Sequence, residues 1–115
     1  MTIEHIDSGD YLSKAVTHNG IAYIAGMTAT DRSKDIAGQT AEVLEKIDTY
    51  LARCGTDKSK ILFATIYLTN MSDKDAMNAV WIPWLGDLQR PARACVGASL
   101  ASPDILLEIV VTAAI

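Results

Sequence analysis

Ile105-Leu106-Leu107-Glu108-Ile109-Val110-Val111-Thr112 is the stretch on which the fold turns. Apolar and β-branched residues fill it almost without a break, and the period of two in a strand sorts them onto two faces. Leu107, Ile109 and Val111 share a face suited to lie beneath helices, which leaves Leu106, Glu108, Val110 and Thr112 on the other. The second face is also largely apolar, with one carboxylate in it. What covers it depends on how many helices the rest of the chain supplies.

Working outward, Arg93 to Leu100 reads as another strand, separated from the last by Ala101-Ser102-Pro103-Asp104 and preceded by the turn-like Gly86-Asp87. Between Asp35 and Arg53, the apolar positions Ile36, Val43, Leu44, Ile47 and Leu51 follow helical spacing, and Gly55 supplies the stop. Ile61 to Thr69 is a strand with both faces apolar enough to be buried. A second helix is expected from Ser72, whose hydroxyl can cap the first turn with Asp75 reaching back. Ala76, Met77, Val80, Trp81 and Trp84 form its apolar stripe, and Pro83, which lacks an amide, predicts a kink or an end near Ile82.

Toward the start, Thr2 to Asp7 is a short strand and Ser8-Gly9-Asp10 a turn. Val16-Thr17-His18 and Ile21 to Ala25 flank Asn19-Gly20, a dipeptide suited to the positive φ angles of a type I′ hairpin. The order β, ββ, α, β, α, ββ describes an α+β domain, a sheet with two helices on one face. Two helices cannot cover both faces, so the open apolar face is expected to meet another copy of the same chain.

Composition narrows the function classes. At 115 residues the chain, residues 1–115, is expected to be a single domain. Its N-terminus lacks the pattern of a signal peptide, and no apolar run approaches the ~20 residues of a membrane span, so a cytoplasmic protein is expected. Cys54 and Cys95 are then expected as free thiols. A net charge of −4 with scattered Lys and Arg argues against nucleic acid as a partner. His5 and His18 stand apart from any ligand cluster, so no metal is expected.

The chemistry concentrates in the Arg93 strand. Arg93, Cys95 and Gly97 share a face there, and we assign it to the same uncovered side as Glu108. The pairing supports two readings: an Arg93–Glu108 salt bridge that holds an interface together, or a guanidinium fork available to a substrate carboxylate.

At these residues the sequence resembles a known family. Arg90-Pro91-Ala92-Arg93-Ala94-Cys95-Val96, with Leu100, Pro103 and a final strand carrying Glu108, is similar to the C-terminal signature of the reactive intermediate deaminase (Rid, YjgF/UK114) proteins. Ser13-Lys14-Ala15-Val16, Asn19-Gly20 and Tyr23-Ile24-Ala25-Gly26 match the family's hairpin. Gln39-Thr40 through Leu51 matches its first helix, and Met77-Asn78-Ala79-Val80-Trp81 part of its second. The resemblance implies a chorismate-mutase-like fold, a homotrimer, and ligand pockets at subunit boundaries. It implies that Arg93 grips the carboxylate of a small imine or enamine such as 2-aminoacrylate or 2-iminopropanoate. It further implies that Glu108 positions water, that Cys95 contributes mainly backbone contacts, and that Asn78 stands at the pocket rim. The implied hydrolysis yields a carbonyl compound and ammonia, and needs no cofactor.

Departures from the family pattern bear on the substrate. Leu12 stands where a tyrosine often covers the pocket, with Tyr11 one position early; Ala25 and Met27, flanking Gly26, replace a serine and a glutamine; Trp81 replaces a tyrosine. These changes suit a bulkier or more apolar imine. They also suit the alternative function, a non-catalytic module that binds carboxylate metabolites. The RNA-cleaving activity attributed to some relatives fits poorly with an acidic chain lacking a histidine pair.

Overall fold

The structure, a computed structural model, describes residues 2–115. Strands β1 (Glu4–Ser8), β2 (Ser13–His18) and β3 (Ile21–Met27) precede helix α1 (Ile36–Arg53) and strand β4 (Ile61–Leu68). Helix α2 (Lys74–Leu85) and strands β5 (Ala92–Gly97) and β6 (Leu107–Ala114) follow. The strands form one six-stranded sheet in the order β1-β2-β3-β6-β4-β5. It is mixed: β4 and β5 run parallel, with α2 as the crossover between them, and the other neighbours are antiparallel. The chain is thus one compact domain built on a mixed sheet with two helices. Among the described residues, no helix is long and apolar enough to cross a membrane.

The local signals hold where one element settles them. Asn19 and Gly20 take φ of 52° and 75°, the left-handed pair that a two-residue hairpin needs. Helix α1 starts behind Asp35, whose Oδ1 accepts from the Gly38 amide at 2.9 Å, and Gly55 follows its end at φ 80°. Ile36, Val43, Leu44, Ile47 and Leu51 are all buried. Along β6, Leu107, Ile109, Val111 and Ala113 are buried under the helices, whereas Glu108, Val110, Thr112 and Ala114 are half-buried on the other face. The open face of the sheet carries rows that match across strands: Tyr23, Thr112 and Phe63; Val110 and Thr65; Glu108 and Tyr67.

Several expectations need correction. The first strand runs from Glu4 and the last from Leu107, each two residues later than expected. Leu106 therefore precedes β6 and packs against the core rather than lying on the open face. In β4 only Ile61, Ala64, Ile66 and Leu68 are buried. A register shift between Ile61 and Phe63 places Leu62 as an extra residue, which is why Ile61 joins the face of Ala64. Phe63 on the opposite face remains 44% exposed.

Ser72 does not cap α2. Its hydroxyl bonds to Asn70 Oδ1 at 2.8 Å, its amide donates to the same atom, and a short 3₁₀ turn, Met71–Asp73, leads into the helix. Asn70 outcompetes it because an Asx side chain reaches the amide two residues on. Ala76 is exposed, and Leu85, outside the expected stripe, is buried with Met77 and Trp81. Pro83 does not end α2 near Ile82: it sits in the last turn, where the missing amide removes one bond, and Gly86 N closes the helix on Ile82 O at 3.0 Å.

Gln39 is a buried polar side chain whose structural part the sequence did not reveal. Its Nε2 donates to Asp104 O at 3.0 Å and Lys34 O at 3.1 Å, and its Oε1 accepts from Leu106 N at 3.0 Å. One amide thus ties the start of α1 to the segment entering β6.

Candidate active site

The β4–β5 register decides where the candidate residues point. Arg93 pairs with Ala64, Cys95 with Ile66 and Gly97 with Leu68, and all three partners are buried on the helix-covered side. Paired residues on neighbouring strands share a face. Arg93, Cys95 and Gly97 therefore lie toward α2, while Glu108, paired with Tyr67, lies on the open face. The expectation that Arg93 and Glu108 share the uncovered side is wrong. Within one chain they lie on opposite faces, which removes the intrachain salt bridge.

On the helix side, Arg93 meets the second helix. Its Nη1 donates to Asn78 Oδ1 at 2.7 Å, and its guanidinium carbon lies 5.4 Å from the centre of a Trp81 ring. Helical spacing brings Asn78, Trp81 and Ile82 to the same face of α2. With Arg90, Pro91 and Arg93 they line an open cleft of about 270 Å³ at the β5 edge of the sheet. Trp81 is held in turn by Trp84, with ring centres 5.5 Å apart, and Trp84 Nε1 donates to Asp48 Oδ2 of α1 at 2.9 Å. These contacts tie the wall behind Arg93 to α1.

Cys95 is half-buried beside Ile66 and packs against the core. It does not lie on the uncovered face as expected, and no histidine lies on its strand. Cys54, the other free thiol, is held above the ordinary thiol range by burial.

The remaining candidates are elsewhere. Gly26 lies in the register shift of β3 between Ile24 and Met27, next to half-buried Ala25. The Glu108 side chain fills the space where a side chain at 26 would begin: a Cβ there would sit 2.8 Å from the Glu108 carboxyl carbon. Met27 is buried in the core, so it is not a free pocket group. Tyr11, 98% exposed, and Leu12 lie in the loop between β1 and β2 and line a separate hollow with Asp7, Gly9, Asp10 and Lys14. β1 and β5 are the two outer strands, so five strand spacings put this loop roughly 24 Å from the Arg93 edge.

The loop is held from below. Asp7, at φ 51°, accepts from Arg53 Nη1 at 2.5 Å and Nη2 at 3.0 Å and from the Tyr50 hydroxyl at 2.7 Å. Hydrogen bonds from Arg53 and then Tyr50 keep the Asp7 carboxyl below the usual carboxylate range.

In one chain, then, the structure joins Arg93, Asn78 and Trp81, joins Glu108 and Gly26 separately, and leaves Tyr11 and Leu12 at the far edge. Ile82, Pro91 and Arg90 belong to the Arg93 cleft although no role was read for them in the sequence. The available signal was the Arg-Pro-x-Arg spacing, in which proline stiffens the approach of both arginines to the strand.

Comparison with known proteins fits this architecture. The family model described as Endoribonuclease L-PSP matches residues 2–115. A RutC family protein of Haemophilus ducreyi is 50% identical over 113 residues, covering 98% of this chain and 97% of the relative. The 3-aminoacrylate deaminase RutC of Acinetobacter baylyi is 34% identical over 101 residues, covering 83% of this chain and 79% of that protein. The crystal structure of NMB1025, a YjgF-family protein of Neisseria meningitidis, superposes with a TM-score of 0.95 at 43% identity, covering 99% of this chain and 95% of that one. The chain belongs to the Rid (YjgF/RutC) family.

Proposed function

We propose that this protein hydrolyses small carboxylate-bearing imines or enamines to the carbonyl compound and ammonia, in pockets completed by a second subunit of a homotrimer. The observation that carries the reading is Arg93: a guanidinium fixed by Asn78 and Trp81, with no carboxylate partner among the described residues, facing an open cleft. A similarity to a relative named as a 3-aminoacrylate deaminase supports the reaction class.

The chemistry asks little of the site. Arg93 holds the carboxylate in a bidentate grip; an enamine first tautomerises to the imine, gaining a proton at its terminal carbon and losing one from nitrogen, and water then adds to the C=N carbon. The nitrogen takes a proton and leaves as ammonia as the C=O forms. Orientation and one acid–base group supply the rate gain. Glu108 is the group proposed to order the water. Because Glu108 and Arg93 face opposite sides of one sheet, the Glu108 that serves a given Arg93 comes from a neighbouring copy. Its companions there are Gly26 and Ala25, with Tyr11 and Leu12 on the approaching loop.

Subunit complementation tests both parts of the proposal. Arg93→Ala and Glu108→Gln are each expected to be nearly inactive in an assay that follows pyruvate release from 2-aminoacrylate generated by a dehydratase. Unfolded and refolded together, they should regain activity, since some boundaries then carry both native residues. No recovery from mixed trimers, or a monomer in sedimentation, would refute the shared pocket. The second reading, a carboxylate-binding module, draws on the apolar Leu12 and Ala25; thermal stabilisation by pyruvate without turnover would favour it.

A further inference from the structure

The chain has four arginines, and they divide sharply. Arg32 pairs with Asp104 at 3.6 Å and Arg53 with Asp7 at 2.5 Å. Arg90 and Arg93 have no carboxylate within ion-pair distance among the described residues, and both line the same cleft of about 270 Å³. Among the described residues, no acidic side chain lines that cleft. In a chain of net charge −4, two guanidiniums without a carboxylate partner from their own chain form a local positive field in one small hollow, and the single Glu108 proposed to reach it from a neighbouring copy offsets only one of the two charges.

Arg90 is exposed, but its side chain is anchored. Its Nη1 donates to Gly86 O at 2.7 Å and Leu88 O at 2.9 Å, carbonyls just past the end of α2. That anchorage fixes the guanidinium plane and leaves its other donors for a ligand. Pro91 then sets the backbone between the two arginines, whose Cα atoms can be at most about 10 Å apart. Two long side chains that converge from that spacing can hold the two ends of a short chain. Trp81, Ile82 and Pro91 supply an apolar wall for the carbons between.

We infer that this cleft takes a ligand with two anionic groups, one on Arg93 and the other on Arg90, so that the preferred imines are those of dicarboxylic amino acids. The inference rests on the reading of Arg93 as a carboxylate site. A cleft just below the ~300–1,000 Å³ of common ligand pockets suits a metabolite of this size.

Calorimetric titration with 2-oxoglutarate and 2-oxobutyrate, the keto acids that the two kinds of imine would release, tests the binding. The native protein is expected to prefer 2-oxoglutarate by about tenfold or more, the size of one added charge-assisted hydrogen bond. Arg90→Gln, which removes the charge and the fork, should reduce that ratio several-fold. Arg90→Lys, which keeps the charge but not the fork, should fall between, and it serves if the glutamine variant does not fold. An equal preference in native protein and both variants, or no preference in the native protein, would overturn the inference. A parallel assay follows ammonia release from the two imines, made in place by an amino-acid oxidase. A dicarboxylate preference in binding with neither imine hydrolysed faster would sink the deaminase reading and leave this one standing. Hydrolysis of both imines with a ratio indifferent to Arg90 would do the reverse.

Discussion

Replacing Arg93 with lysine separates a substrate grip from a structural contact, and the structure supplies the numbers. In the fold, Arg93 makes one charge-assisted bond to Asn78 and one contact with the face of Trp81. At about 1.5–3 kcal/mol for such a bond when buried and about 0.5–1 kcal/mol for an exposed cation–π contact, this half-buried side chain contributes about 2 kcal/mol to folding. Lysine retains part of that through its charge and stem, so Arg93→Lys should cost about 1 kcal/mol in urea unfolding. For a bound carboxylate the loss is larger, because the second bond of the fork disappears and the imine carbon is no longer aimed at water. A loss of about 3–4 kcal/mol in transition-state binding corresponds to a ~10²–10³-fold fall in kcat/KM. The dehydratase-coupled pyruvate assay and the unfolding curve should be run on the same preparations. Turnover within about threefold of native would refute the carboxylate grip. A fall in activity that only tracks the unfolded fraction would assign Arg93 to structure instead.

Gln39→Leu should destabilise the fold by about 2–4 kcal/mol in thermal or urea unfolding, since the Leu106 amide and the carbonyls of Asp104 and Lys34 lose a buried partner; a change below about 0.5 kcal/mol would show that water replaces the amide. Glu42 accepts from the backbone amides of Thr30 and Asp31 and from Lys34 Nζ, which lowers its pKa from 4.5 to about 2, the Thr30 amide contributing most. A lowered folded-state value stabilises the fold above pH 4.5 and is lost as pH falls toward 2, so Glu42→Gln should flatten the acid limb of the stability curve across that window, and an unchanged limb would remove Glu42 as its source. Cys95→Ser should leave turnover within about threefold of native, because the thiol packs against the core and has no activating base on its strand; complete loss of turnover with the fold intact would show that the sulfur takes part.

The legible parts of the fold were those that a single element decides. The two faces of β6 from Leu107 onward, the span of α1 and the Asn19-Gly20 turn each follow from a period or a dipeptide within one short window, and the structure repeats them, with Leu106 the exception. Arg93 shows where that reasoning stops. Periodicity says that Arg93, Cys95 and Gly97 share a face, but not which face of the sheet it is. That is fixed by the parallel pairing of β5 with β4 across the α2 crossover, a contact between residues about thirty apart. The bulge at Leu62 and the loss of Ser72 to Asn70 have the same character: a neighbour outbid the local signal. Of the candidate site, Arg93, Asn78 and Trp81 were legible as a group only through the family resemblance, and the structure brings these three together. Arg90 and Gln39 act through backbone carbonyls and amides that no side-chain motif advertises.

The strand order has a consequence for the history of each molecule as it is made. β6 sits between β3 and β4, yet the chain reaches it only after both. Until residues 107–114 emerge, the β1-β2-β3 meander and the β4-α2-β5 unit share no strand pairing and each presents a bare inner edge. At typical elongation rates of about 5–20 residues per second, those edges stay open for several seconds, each a template for pairing with another chain. The domain therefore closes late and all at once, by insertion of its central strand. Shielding of the nascent chain, rather than the stability of the finished one, is expected to set the yield of correctly folded protein.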